Sequence, residues 1–389
     1  MEQATAAPQR NYGIDLARIL SMLAVIVLHL LRAITVSESC SAFETGICLL
    51  LQCIALPAVN VFILISGFVG YRENRTYPKL KNIISLFCTV VFWGVLITAI
   101  LKCIFPGEIG FHMLIRAFLP ITTKQYWFFT AYFAMIAVSP ALHILVRGCT
   151  ARDARVLMLA VAVLFSAYSF LGNTYSLVGA PFSDPFQLNG GFAFAWFAAL
   201  YVCGALIKKF ALHRIAAGKK VFLCWFSLLI LLFGISLLVV LCGQSNTLFP
   251  AQSLQNILFS YSSPFVFGSA VCLLLLFAKL DIRQSARRVV SFFAPTVFGV
   301  YLIHDHTLLK ESLPMEKLSA FSSLPPALLP LLIPAAAAVI FLICGLAEQI
   351  RARMFRLLRI DALIERFSSV LTAAVRAAAD SARREKKKQ

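Results

Sequence analysis

The sequence predicts an all-α membrane protein, a bundle of about ten transmembrane helices with both termini in the cytoplasm. Three observations carry that prediction. First, 60% of the 389 residues are hydrophobic and 13% are charged, about half the charged share of a soluble domain. Second, the apolar residues gather in runs of about 18 or more, and at about 1.5 Å of rise per residue such a run crosses the roughly 30 Å hydrocarbon core of a bilayer. Only helices and closed barrels satisfy every backbone group in lipid, and continuous apolar runs without strict alternation exclude the barrel. Third, Lys and Arg collect in alternate loops.

The predicted spans are residues 14–34, 46–70, 82–105, 126–146, 155–172, 190–208, 221–242, 255–278, 289–309 and 326–350. The first is about twenty residues long, carries Asp15 and Arg18 and has no small-residue cleavage site after it, so it is expected to stay as a helix and not to act as a signal peptide. The loop after the second span holds Arg72, Arg75, Lys79 and Lys81. The loop after the fourth holds Arg147, Arg152 and Arg155. Lys208, Lys209, Arg214, Lys219 and Lys220 follow the sixth span, and Lys279, Arg283, Arg287 and Arg288 follow the eighth. With Arg10 and the C-terminal tail, 28 basic residues lie on one side, against four on the other, namely Arg116, Lys124, Lys310 and Lys317. The positive side is the cytoplasm, and the regular alternation supports the count of spans.

Two organisational units follow. Residues 1–350 form the ten-helix transmembrane domain, and residues 351–389 form a basic amphipathic cytoplasmic tail. In that tail Phe355, Leu358, Leu363, Ile364, Phe367, Val370 and Leu371 recur at helical spacing before RREKKKQ. The expected tail is a surface helix on anionic lipid headgroups. No soluble second domain or internal repeat is apparent.

The net charge of +18 sits in loops and tail and forms no basic patch on a soluble surface, which argues against nucleic acid. Cys48, Cys53, Cys88, Cys103, Cys203, Cys224, Cys272 and Cys344 lie in apolar spans and are expected to act as small buried hydrophobes. Cys40 and Cys242 are the pair placed for an outer-face disulfide. No CxxC or Cys/His spacing suggests a metal, and none is expected.

Ionisable residues inside a membrane span mark functional positions, because each costs a few kcal/mol if it faces lipid. The first span carries Asp15, Arg18 and His29. Eleven residues separate Arg18 from His29, a rotation about 20° beyond three full turns and about 16 Å along the axis, so the two share a stripe without touching. Asp15, one turn before Arg18, is expected to pair with it. The ninth span runs in the same direction and places His304 at a depth similar to His29, with Asp305 and His306 near the solvated outer mouth. Histidine suits proton transfer near neutrality. At the end of the second span Arg72 and Arg75 are positioned to grip phosphate oxygens through guanidinium forks.

Arg18 and His29 with ten residues between them, and Arg72-Glu-Asn-Arg75 after an SGF-type helix, resemble the R-x10-H and RxxR signatures of the membrane acyltransferase-3 family. NVFILISGF (60–68), YWFFTAYFAMIAVSPAL (126–142) and FGVYLIHDHTLL (298–309) also look like segments of its bacterial members, and the likeness runs from about residue 10 to 350. The resemblance implies an O-acyltransferase in the bacterial plasma membrane. Its donor would be cytoplasmic acyl-CoA, usually acetyl-CoA, and its acceptor a hydroxyl of an envelope polysaccharide or lipid-linked sugar. It implies His29 as the essential histidine and Arg18, Arg72 and Arg75 as arginines on the CoA side. His29 would then be the general base, with Asn60, Tyr126 and Trp127 as candidate oxyanion donors. The competing expectation is a secondary transporter or glycan-exporting permease, which intramembrane charges also mark.

Overall fold

The structure is a computed structural model that describes residues 10–35, 42–74, 77–107, 109–176, 184–243, 251–312 and 326–386. Its described elements are helices: α1 (Tyr12–Thr35), α2 (Ala42–Ala55), α3 (Ala58–Gly70), α4 (Leu80–Ile104), α5 (Phe111–Phe118), α6 (Trp127–Gly148), α7 (Ala151–Ala160), α8 (Ser169–Ser176), α9 (Phe194–Lys209), α10 (Leu212–Ile215), α11 (Gly218–Gly243), α12 (Ala251–Leu258), α13 (Pro264–Lys279), α14 (Gln284–Phe293), α15 (Val297–His304), α16 (Thr307–Ser312), α17 (Leu329–Leu357) and α18 (Ile360–Lys386).

Among the described residues, eight stretches are long and apolar enough to cross a membrane, and they fall on eight of the ten predicted spans. The other two, 190–208 and 255–278, are occupied by α9 and α13, of 16 residues each, about 24 Å of helix. A chain break explains the length of α13. Pro264 opens α13 at its first turn, where a missing N–H costs nothing, and residues 259–263 separate it from α12. The second span is also interrupted: Pro57 stands at the N-cap of α3 and, lacking an N–H, divides α2 from α3.

α1 is the axis of the bundle. Its first half, through Ile14 and Ala17, packs into one apolar cluster with Ile63, Leu64, Leu200 and Leu274. Its second half, through Met22, Ile26 and Leu30, packs into another with Trp93, Val300 and Phe341. Asn11 caps its N-terminus: the side-chain oxygen accepts from the Ile14 amide at 3.1 Å, and the side-chain amide donates to the Ala278 carbonyl at 2.9 Å, tying α1 to the end of α13.

Small residues let the other central helices approach. At Gly67 on α3 a Cβ would collide with the Tyr201 carbonyl, and at Gly204 on α9 with the Leu64 carbonyl. This is the small-residue packing that association in lipid requires, since apolar side chains gain little there by leaving the solvent. The notch at Gly299 on α15 is filled by the carboxylate of Glu348 on α17. That buried carboxylate accepts from Trp93 Nε1 at 2.7 Å and pairs with Arg351 at 2.5 Å, so its charge is not left unmatched.

The outside of the bundle is apolar: Leu331 and Ile343 on α17 and Leu223 and Leu238 on α11 are exposed. Cys48, Cys53, Cys203, Cys272 and Cys344 are buried as expected, whereas Cys103 and Cys224 face outward. Cys242 is exposed, and its expected partner Cys40 lies outside the described residues. The last span continues to Leu357, past the predicted end at 350, because Arg351 is held by Glu348 and lies over the Phe355 ring at 4.6 Å. Arg359, at φ 55°, turns the chain into α18. There Ile364 is buried against the bundle while Leu363, Phe367 and Val370 stay exposed.

The α3–α9 contact yields a stability prediction. Gly204→Ala forces a methyl into backbone and lowers stability by about 1–3 kcal/mol. Gly234→Ala, with open space around it, leaves stability unchanged or raises it by up to about 1 kcal/mol. Thermal unfolding of the two variants in nanodiscs checks the contrast.

Candidate active site

His29 and Asp305 lie far apart in sequence and meet where α15 ends against α1. His29 Nδ1 stands 3.6 Å from Asp305 Oδ1, and 36% of the His29 side chain remains accessible. That separation exceeds a hydrogen bond, so the carboxylate acts on the imidazole through its charge. The His304 ring lies 5.2 Å from the His29 ring, centroid to centroid, at 34°. His304 Nδ1 is 2.6 Å from the Val300 carbonyl. A carbonyl can only accept, so Nδ1 carries the hydrogen and Nε2 keeps its lone pair. Nε2 is buried without a partner among the described residues.

The expectation that Asp305 and His306 are solvated at the outer mouth is corrected here. α15 stops at His304, and the chain turns inward through residues 305–306 before α16. Asp305 is 5% exposed and His306 fully buried. The cost of burying Asp305 is offset by Lys310, which forms an ion pair with it, as well as by His29. His306 Nε2 lies 3.0 Å from Gln125 Nε2.

Arg18 and Asp15 sit on the same helix but away from His29. Asp15 is buried and accepts from Arg10 at 2.5 Å and Arg18 at 3.1 Å. This is the ion pair predicted from spacing, joined by Arg10, which sequence reasoning counted only as a loop charge. The structure therefore brings His29 together with His304 but not with Arg18.

The same N-terminal end of α1 borders an open cleft of about 690 Å³ lined by Arg10, Lys208, Arg214, Lys279, Arg287 and Asp281, among others. Arg287 also stacks on Tyr12 at 5.1 Å. His213 lines the cleft, and burial together with Lys208 and Arg214 holds its pKa below the ordinary value. Arg72 is exposed and acts electrostatically on Lys208 with Arg214; Arg75 lies outside the described residues. The basic residues of the cleft come from two predicted loops and from Arg10, just before α1. Their spacing in sequence carries no sign of the convergence.

The candidate oxyanion donors do not reach this site free. Asn60 is fully buried, donating to the Tyr261 carbonyl at 2.7 Å and accepting from Trp196 Nε1 at 3.1 Å. The Tyr126 hydroxyl donates to the Leu302 carbonyl at 3.0 Å. Trp127 packs among Phe192, Phe197 and Tyr261. Sequence reasoning missed Tyr301, whose buried hydroxyl has no partner among the described residues and whose ring lies 6.4 Å from the His304 ring. Its position three residues before His304 is the one signal that could have found it.

These bonds make Asn60 a structural residue. Asn60→Ala strands the Trp196 N–H and the Tyr261 carbonyl and lowers stability by about 1–3 kcal/mol. Turnover per folded molecule should stay within a few-fold, where loss of an oxyanion donor would cost about 10²–10³; thermal unfolding and activity assays on the same preparation separate the two.

The described residues contain no His/Cys/Asp/Glu group able to hold a metal ion. No curated protein and no solved structure matches the chain. The family model described as an acyltransferase domain matches residues 11–348, a stretch that runs from the Asn11 cap through His29 and the His304–Asp305 turn to Glu348. The chain therefore belongs to the acyltransferase-3 family and is a multi-pass membrane acyltransferase.

Proposed function

We propose that the protein transfers an acyl group, acetyl by preference, from cytoplasmic acyl-CoA to a hydroxyl of an envelope glycan or lipid-linked sugar, as a multi-pass protein of the bacterial plasma membrane. The observation that carries this reading is the polarity of α1. Its N-terminal end borders a cleft rich in Arg and Lys, and its other end presents His29 beside His304 and Asp305. A topology of ten crossings with both termini cytoplasmic fits this polarity, with α9 and α13 as the two short crossings and α18 lying along the inner membrane surface.

CoA phosphates cannot enter the bilayer. Guanidinium and ammonium groups of the cleft suit their oxygens, with Arg72, which acts on Lys208, and Arg75 as further residues for the CoA phosphates. Arg18, fixed by Asp15, lines the lower course of α1 along which the pantetheine arm extends. At the far end, His29 Nε2 takes the proton of the acceptor hydroxyl as its oxygen bonds to the thioester carbonyl carbon. The C–S bond then breaks, the proton passes from His29 to the departing sulfur, and the products are free CoA and the O-acyl sugar. Asp305 stabilises the transient imidazolium through its charge, in the way a carboxylate supports a catalytic histidine. His304, with its free Nε2, stands as a second proton acceptor beside it. The Tyr301 hydroxyl is the candidate donor to the oxyanion.

Mass spectrometry of envelope glycans tests the reading. Cells lacking the gene are complemented with the native protein or His29→Ala at matched membrane levels; the native protein restores an acyl-sized mass on one glycan and the variant does not. Equal restoration by both would make His29 structural and sink the mechanism. Tyr301→Phe loses only a hydroxyl without a hydrogen-bond partner, so its melting temperature should stay near the native one. Acyl transfer should fall about 10²-fold, measured as release of free CoA in the presence of the acceptor.

A further inference from the structure

A second pocket lies beyond the histidines, at the end of the bundle that the reading above places outside the cell. It holds about 200 Å³ and is built where α4, α5, the start of α6 and the start of α16 converge, with Thr98, Arg116, Thr123, Lys124, Gln125 and Thr307 among its walls. It adjoins the candidate active site through two links. Gln125 stands against His306, and Thr307 follows the His304–Asp305–His306 turn and donates to the Gln125 carbonyl at 3.2 Å. The volume is below that of a typical drug-sized pocket and suits one small polar unit.

Two features give this pocket its chemistry. Thr98 is 1% exposed, and its hydroxyl has no partner in the protein; the Gln125 side-chain oxygen is likewise buried and unpartnered. Buried polar groups are nearly always satisfied, so a Thr hydroxyl and an amide opening on a cavity mark a place for a ligand with hydroxyl groups. Arg116 and Lys124 stand at the same pocket, exposed and in no ion pair among the described residues. Outward loops hold few basic residues; this sequence has four, and Arg116, Lys124 and Lys310 gather around this pocket and the adjoining Asp305.

We propose that the pocket is an acceptor subsite selecting a sugar that carries negative charge, a phosphate or carboxylate on or beside the ring to be acylated. Thr98 and Gln125 take sugar hydroxyls, Arg116 and Lys124 take the anionic oxygens, and the ring is held next to the His29–Asp305 pair. The catalytic half of this inference rests on the acyltransferase reading; the binding half stands without it.

The test therefore has two arms. In the first, full-length protein in phosphatidylcholine nanodiscs is titrated with glucose 1-phosphate, glucuronic acid and glucose. Two exposed charge-assisted contacts are together worth about tenfold. The charged sugars should bind about tenfold tighter than glucose, and the difference should vanish in Arg116→Gln/Lys124→Gln and shrink in the native protein as salt rises. Preference for one of the two charged probes assigns the anion as phosphate or carboxylate. Thr98→Val, which keeps both cations, should weaken all three sugars alike. Equal binding of glucose and both charged sugars by native protein, or an undiminished preference in a double variant with native melting temperature, overturns the proposal.

In the second arm the double variant joins the complementation experiment. It should lose about tenfold of the acyl mark, which should lie on a charged glycan. Full acylation of a neutral glycan by the double variant overturns the inference and leaves the acyltransferase reading standing. Failure of the native protein to acylate any glycan overturns that reading, and the nanodisc titration still decides the binding site.

Discussion

Everything in this fold depends on keeping the ionisable side chains of α1 away from lipid. Asp15, Arg18 and His29 each cost a few kcal/mol on a lipid-facing surface, so α1 has to turn them toward protein, while Leu20 on another face stays exposed. The neighbours meet that demand in two ways. Apolar residues of both core clusters close around α1, and polar partners meet each charge: Arg10 and Arg18 at Asp15, Asp305 at His29. The rest of the packing adapts to a buried axial helix. Gly67 and Gly204 allow α3 and α9 to close behind it, and Gly13 lets the start of α1 come against the Phe277 and Leu280 carbonyls.

The same constraint separates the two halves of the chemistry. A single helix that begins among cations and carries a histidine toward its far end would, in the proposed reaction, keep phosphate charge at one end and proton transfer at the other, with apolar core between. In that proposal only a neutral, slender part of the substrate would lie along α1. That geometry suits a donor whose reactive acyl group hangs from a long uncharged arm and whose charges stay behind. It suits much less a transporter, which would carry a whole polar solute across.

Asp305 shows how burial is made tolerable beside His29. A carboxylate with almost no exposure survives there because Lys310 and His29 share its charge. Removing either partner leaves the other interaction alone to offset desolvation, so the turn at residues 305–306 is held by the same groups that poise the histidine. Glu348 uses the identical device at the other end of α15, where Arg351, Trp93 and the space left by Gly299 accept its carboxylate. Two paired carboxylates thus pin α15 between α1, α4 and α17.

The sequence by itself determined the lipid solvent, the helical class, the boundaries of most spans and the Asp15–Arg18 pair. Those properties are local: an apolar run of sufficient length, a three-residue offset on one helix and an ionisable side chain in an apolar run each express themselves within a few turns of chain. Even the family resemblance rests on short spacings of this kind. Tertiary structure alone decided that Asp305 is buried against His29, that Tyr301 keeps a free hydroxyl while Asn60 spends both ends of its amide, and that basic residues from separate loops line one cleft. It also shortened α9 and α13 and turned Asp305 and His306 inward where a continuous helix was expected. Each of these depends on residues hundreds of positions apart arriving at one place, and side-chain periodicity, which reports only the face a residue occupies on its own helix, holds no information about which distant face it will meet.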